Sequence, residues 1–347
     1  MVLDALAFEP QFLAHAAPVW RALPASIRGR FLVEESLVER ACAQGIEAQG
    51  ISGNTIRRSS PPPKARRGDG PLAFVTSIGD TKVARRLGYR RFVSMEHGAG
   101  QAYQGARSSL SRHPSYAGGL DREDTELFLC PNDYSADLWR AAYPEARVEV
   151  VGSPRLDDLP RREPGTGPVC AVSFHWPAHV APEAGTALGW YVKALPELAE
   201  AYTVIGHAHP KGDWPRRMER QYRRAGIEFV ADFDEVCRRA DVYACDNSTT
   251  LFEFAATGRP VVVLNCPAFR KDINHGGRFW DWADIGVQVE QPADLIPAVA
   301  EALQDGPGRQ ERREAVLRLV YPVRRNAAAR AATVLMDWLG ASQEMAA

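Results

Sequence analysis

Three loops in this 347-residue chain carry residue types suited to handling phosphates and protons. In ADVYACDNSTTLFEFAATGRPVVVLN an apolar run, Val242–Cys245, ends at Asp246. Ser248, Thr249 and Thr250 then open a helical stretch, and Gly258-Arg259-Pro260 closes it before the next apolar run. A helix start behind a strand end offers a phosphate unpaired backbone N–H groups, hydroxyl donors and a favourable dipole, although the same residues equally make an ordinary Ser/Thr cap. His97 follows the apolar run RRFVSM and adjoins Gly98. This predicts the carboxyl edge of a sheet, where α/β proteins bind ligands, and an imidazole there suits proton transfer near neutrality or a backbone hydrogen bond. His209, after TVIGHA and before the stiffening Pro210, also sits at a predicted strand end and could donate to a diphosphate oxygen.

Other polar residues read more plainly. His207 is expected within its strand, in a structural role, and His15, His113, His179 and His275 belong to no motif and are expected at the surface. Arg155 and Asp157 follow the strand in ARVEVVGSPRLDDL. The arginine could pair with a phosphate, and an Arg–Asp pair could equally hold the turn. Asp232-Phe233-Asp234 has the form of a D-x-D metal motif but precedes EVCRRAD, so a helix cap with acids opposing the dipole is the expectation, and no obligatory metal. HGAGQAYQG lacks the helix and the spaced acid of a dinucleotide-binding fingerprint, and no G-x-x-x-x-G-K-S/T occurs.

The elements that must position these residues follow an α/β rhythm. After an N-terminal region expected to be helical, RGRFLVEESLVERACAQG and PLAFVTSIGDTKVARRLGYRRFVSMEHGAG give strand and helix in alternation. PNDYSADLWRAAYP then forms a helix capped by Asn132 or Asp133. Residues 1–159 form a first Rossmann-like domain, and Pro160–Pro168, rich in Pro, Gly and charge, reads as a linker. In residues 169–321 the runs VCAVSF, YTVIGHAHP, IEFVAD, DVYACD and PVVVLN predict a second parallel sheet covered on both faces. Pro322 must break the helical tail, and residues 322–347 form a last helix.

Composition excludes several classes. Forty-two Lys and Arg against 43 Asp and Glu give a net charge of −1, which argues against a dedicated nucleic-acid binder. Charged residues at 24% and apolar ones at 45% fit an ordinary globular chain. The six cysteines are dispersed, without a C-x-x-C pair, and read as reduced thiols. Asp4 and Glu9 interrupt any signal-like start, and no run of about 18 apolar residues exists, so a cytoplasmic location is expected. The segment RRSSPPPKARRG carries five unopposed positive charges between Arg57 and Arg67. It is a solvated loop, or a surface for a polyanion such as a polyol phosphate, an anionic lipid at the inner membrane face, or DNA.

In order along the chain, HGAG (His97–Gly100), VVGSPRLDDL (Val150–Leu159), HAHP (His207–Pro210) and DNSTTLFE (Asp246–Glu253) resemble the CDP-glycerol glycerophosphotransferase family, the teichoic-acid polymerases and primases of GT-B type. The match covers about residues 70 to 270. Its G-x-P-R-x-D turn corresponds to Gly152, Pro154, Arg155 and Asp157; its H-G loop to His97 and Gly98; its H-P dipeptide to His209 and Pro210; and its D-x-S-S/T-x-x-x-E/D segment to Asp246, Ser248, Thr249 and Glu253. The chain departs from it in two places. Its loop reads His97-Gly98-Ala99-Gly100-Gln101-Ala102 where the family has H-G-T-P-L-K, and SFHWP supplies His175 and Trp176 where the family has T-W-R.

The resemblance implies two Rossmann-like domains facing across a cleft, with the last helix crossing back to the first. It implies His97 as a general base and His209 at the diphosphate, with Asp246, Ser248, Thr249 and Thr250 at the donor phosphates. Glu253 would lie near the ribose or be held structurally, with Gly98, Arg155 and Asp157 in the cleft. The donor would be CDP-glycerol or a nucleotide sugar, and the acceptor hydroxyl that of a polyol phosphate, a glycan, a protein or a modified nucleobase. A sugar-nucleotide glycosyltransferase and a UDP-sugar 2-epimerase are the alternatives, because fold does not fix chemistry. A non-catalytic binding module leaves the His97 loop and the donor motif unexplained.

Overall fold

The structure, a computed structural model, describes residues 2–58, 70–99, 122–177, 185–246, 248–269 and 282–344. The chain divides into two units. One comprises the described residues of 1–99, 122–158 and 321–344, and the other those of 159–320.

In the first unit β1 (Leu3–Ala7), α1 (Pro10–Ala22), β2 (Arg28–Glu34), α2 (Val38–Ala43), β3 (Ala48–Ile51) and α3 (Gly53–Arg58) form the opening half. They are followed by β4 (Leu72–Val75), α4 (Ile78–Arg86), β5 (Arg91–Met95), β6 (Thr125–Cys130), α5 (Asp133–Ala142) and β7 (Arg147–Val150). The seven strands are parallel, in the order β3-β2-β1-β4-β5-β6-β7. The expectation of helix at the N-terminus is corrected here, because a central strand precedes α1. LDALA has little intrinsic strand preference, but pairing on both edges with β2 and β4 and burial of Leu3, Ala5, Leu6 and Ala7 override it. Phe12, Leu13, Ala16, Val19 and Trp20 of α1 cover one face of this sheet.

The second unit runs β8 (Val169–Phe174), α6 (Leu188–Tyr191), α7 (Leu195–Ala201), β9 (Thr203–Ala208), α8 (Trp214–Arg224) and β10 (Glu228–Phe229). It continues α9 (Phe233–Arg239), β11 (Val242–Cys245), α10 (Thr250–Ala255), β12 (Val261–Leu264), β13 (Val287–Val289), α11 (Leu295–Gln304) and α12 (Pro307–Val320). Its parallel sheet has the order β10-β9-β8-β11-β12-β13. VYAC and VVVL are buried throughout, as strands covered on both faces must be. Gly206 in β9 gives its side-chain space to the Tyr222 ring, which a Cβ would meet at 2.4 Å. The Tyr222 hydroxyl bonds the carbonyl oxygens of Val172 and His207, both at 2.9 Å, tying α8 to β8 and β9.

The strand after the first in each sheet lies on one side of it, and the fourth lies on the other. The sheets therefore reverse direction between β1 and β4, and between β8 and β11, the points at which such folds open a ligand crevice beyond their carboxyl ends.

After α12 the chain breaks around Pro322, and α13 (Ala327–Glu344) packs Ala331, Ala332, Leu335, Trp338 and Leu339 into the core of the first unit. The G-S-P-R-L-D turn anchors this return. Gly152 has φ +86°, and a Cβ on it would lie 2.3 Å from the carbonyl oxygen of Val323. Asp157 Oδ2 accepts the backbone N–H of Ala328 at 2.8 Å, in the first turn of α13.

Candidate functional site

In the first unit the carboxyl edge around the reversal point presents His97. Backbone pairing carries β5 one residue past its end, with Glu96 N–H bonded to Leu129 O at 3.0 Å. His97 follows, exposed, and Gly98 turns the loop at φ +84°. His97 Nδ1 lies 2.8 Å from the carbonyl oxygen of Thr76, which follows β4. A carbonyl only accepts, so Nδ1 carries the hydrogen and the lone pair of the neutral ring sits on Nε2. Two side chains of α1 flank the ring: Phe12 meets it edge-on at 4.8 Å between centroids, and His15 at 6.1 Å. The expected surface position of His15 is corrected, for it is 4% exposed. The helix placing it follows the unanticipated β1 and turns that face to the sheet.

In the second unit three adjacent strand ends bring the candidate residues together. β8 delivers His175 and Trp176, β9 delivers His209, and β11 delivers Asp246, Ser248 and Thr249. The His175 and His209 rings are 5.5 Å apart, and Trp176 is 6.1 Å from His209. His175 Nδ1 is 2.7 Å from the carbonyl oxygen of Trp176, so its neutral ring also keeps its lone pair on Nε2.

Asp246 is fully buried. Oδ1 accepts His175 N–H at 2.7 Å, and Oδ2 accepts Ala187 N–H at 2.9 Å and the Thr186 hydroxyl at 3.4 Å. Both Asp246 oxygens thus accept from protein donors. It braces the edge. Ser248 Oγ contacts Thr250 Oγ1 at 2.9 Å, and Thr250 in turn contacts the Tyr243 hydroxyl at 2.9 Å. The helix start at Thr250 is thus tied down from below. Thr249 is half-buried at the cap position and makes no side-chain cap bond. Glu253 is buried within α10, held in the fold and not turned to solvent.

Electrostatics separates structural groups from the edge residues. His207 lies inside β9, with Nδ1 3.0 Å from the Val230 carbonyl oxygen. Burial holds its imidazole below the ordinary value, against that bond and the charges of Asp232 and Glu253. Burial also pushes the Cys245 thiol well up, with the Asp246 charge adding to it, and Cys170 up to about 12, so neither thiol is an available nucleophile. Asp232 accepts Asp234 N–H at 3.1 Å and caps α9. Among the described residues no group of three or more His, Cys, Asp and Glu side chains is arranged to hold a metal ion.

The turn residues from the sequence are placed differently. Asp157 is committed to α13, and Gly152 to the passage of Val323. Arg155 is 6% exposed. Asp157 thus also holds the tail, where the turn meets the returning chain. Of the basic segment Arg57–Arg67, residues 59–67 lie outside the described residues, as do Gly100, His113, His179 and His275. Thr76, His15 and Asn132 lie at or beside the edge of the first unit and His175 at that of the second, although none of them was singled out as a site residue.

No family model and no curated protein sequence matches the chain. Solved structures do. A UDP-N-acetylglucosamine 2-epimerase superposes with a TM-score of 0.63 at 13% identity, covering 98% of this chain and 96% of that one. The UDP-GlcNAc 2-epimerase from Neisseria meningitidis bound to UDP-GlcNAc gives 0.63 at 13%, over 97% and 99%. The wall teichoic acid polymerase TagF, soaked with CDPG, gives 0.61 at 12%, over 99% and 89%. The fold is of GT-B type. In GT-B terms the two edges just described belong to the first and second Rossmann-like units, and no helix among the described residues is long and apolar enough to cross a membrane.

Proposed function

We propose that this GT-B-type chain is a nucleotide-diphosphate-dependent transferase. It moves a glycerophosphate, another polyol phosphate or a glycosyl group from its donor to an acceptor hydroxyl. The observation that carries this reading is the meeting of β9, β8 and β11 at the reversal point of the second sheet, where His209, His175, Ser248 and Thr249 share one carboxyl edge. The His209 imidazole, the His175 ring when protonated on Nε2, and the hydroxyls there suit diphosphate oxygens. His97, its Nδ1 hydrogen committed to Thr76, takes the acceptor hydroxyl proton on Nε2. The acceptor oxygen then attacks either the β-phosphorus, releasing the nucleoside monophosphate, or an anomeric carbon, releasing the nucleoside diphosphate. Positioning and charge stabilisation supply most of the rate in the phosphoryl case, without an obligatory metal.

A second reading, UDP-sugar 2-epimerisation, draws support from the likeness in fold to two such epimerases over 96% and 99% of their lengths. A thermal-shift panel of CDP-glycerol, CDP-ribitol and UDP-, GDP- and dTDP-sugars finds the donor, since a ligand specific for the native state raises the melting temperature. Product analysis then separates the readings: a phosphodiester or a glycoside supports transfer, and an epimer overturns it. With the donor known, combining Ser248→Ala and Thr249→Ala weakens its binding by about 1–3 kcal/mol in calorimetry. Unchanged affinity in a folded double variant removes the phosphates from this edge, and turnover abolished by chelator removes the metal-independent chemistry.

A further inference from the structure

The His97 loop is fastened from a direction that its own strand does not supply. Asn132, fully buried between β6 and α5, uses both ends of its amide. Oδ1 accepts Ser135 N–H at 2.9 Å and caps α5, while Nδ2 donates to the carbonyl oxygen of Ala99 at 3.1 Å. Ala99 is itself buried and lies two residues beyond His97. Between the two stands Gly98 in the left-handed region, so the backbone here has a wide choice of conformations unless something beyond the glycine holds it. The pairing of Glu96 with Leu129 fixes the loop on one side, and the Asn132 amide fixes it on the other.

We propose that Asn132 is a positioning residue for His97: by pinning Ala99 it holds the imidazole where Nδ1 meets the Thr76 carbonyl, and so fixes the tautomer with its lone pair on Nε2. The reading of His97 as the base is assumed for the catalytic consequence, whereas the tautomer is a property of the protein alone. One side chain thereby couples the start of α5 to the ring at the end of β5. An N-cap needs only an acceptor, which Ser, Asp and Asn supply about equally well. The amide donor is the feature that the cap does not require.

The test exploits that difference in the full chain without ligand. Asn132→Ser keeps a capping oxygen without a group that reaches Ala99, and Asn132→Asp keeps the cap but sets a carboxylate against a carbonyl oxygen. In protein labelled with ¹⁵N at histidine, with His97→Gln assigning the resonance, the wild type shows His97 protonated at Nδ1. The Asn132→Ser variant, folded by circular dichroism, shows mixed tautomers. A folded variant that keeps the Nδ1–H signature overturns the proposal. Should both variants fail to fold, hydrogen exchange of the wild-type Asn132 side-chain amide decides: protection of one Nδ2 hydrogen is expected, and exchange at the rate of an exposed amide overturns it. Once a donor is in hand, a mixed tautomer with unchanged turnover removes His97 as the base and leaves the positioning intact.

Discussion

A carboxylate oxygen of Asp246 accepts the backbone N–H of His175 at 2.7 Å, joining the ends of two neighbouring strands through a side chain. The other oxygen reaches Ala187 at the entry to α6, so one residue organises the edge on which His175, His209 and Ser248 meet. Asp246→Asn sets an amide N–H₂ against at least one of these donors. Loss of charge-assisted bonds worth about 1.5–3 kcal/mol each should lower the melting temperature of the ligand-free protein by about 5–10 °C. An unchanged melting temperature shows that Asp246 is not a brace.

His97→Ala tests the base itself. With the cognate donor and acceptor, turnover per folded molecule should fall by about 10²–10⁴-fold with donor affinity nearly unchanged. The acid limb of the rate profile should flatten, since a base acts only when neutral. A folded variant with near wild-type turnover ends the assignment.

The pH dependence of stability should carry the signature of His207. Its folded value lies below the ordinary 6.5, chiefly through burial, so the unfolded chain binds more protons between the two values. Stability is then fully present above about pH 6.5 and is lost as pH falls towards the folded value. Melting temperatures taken from about pH 7.5 down to about pH 5 should decline in the wild type, and a folded His207→Gln variant should show a shallower slope. Equal slopes assign the acid sensitivity to other groups.

The turn at Gly152 should matter to the first unit and not to donor binding. Gly152→Ala combines a positive φ with a methyl group 2.3 Å from Val323 O, and should destabilise the protein by about 2–4 kcal/mol. Asp157→Ala removes the acceptor at the start of α13 at a cost of about 0.5–2 kcal/mol. Chemical denaturation measures both. A folded Asp157→Ala protein with weakened donor affinity would place this residue in the binding site.

The order of apolar runs and breakers in the sequence determined a tandem α/β architecture, because buried parallel strands and their helices impose it locally. VYAC, VVVL and TVIGHA were legible as strands, and the positions of His97, His209 and Ser248 at strand ends followed from where those runs stop. Asn132 was legible, alongside Asp133, as a candidate cap, since capping is a contact over three residues. Its second bond, to Ala99, was not, because it joins residues 33 apart. LDALA was misjudged for a related reason: its strand state comes from partners on β2 and β4, and not from its own preferences. The donors that meet Asp246 come from residues 59 to 71 positions away, which no local pattern shows. Asp157 answers a helix 171 positions on. Residue type and spacing therefore determined which chemistry was available at each strand end. Only the tertiary structure decided which polar groups were already committed to other parts of the chain, because a hydrogen bond depends on distance in space and not along the sequence.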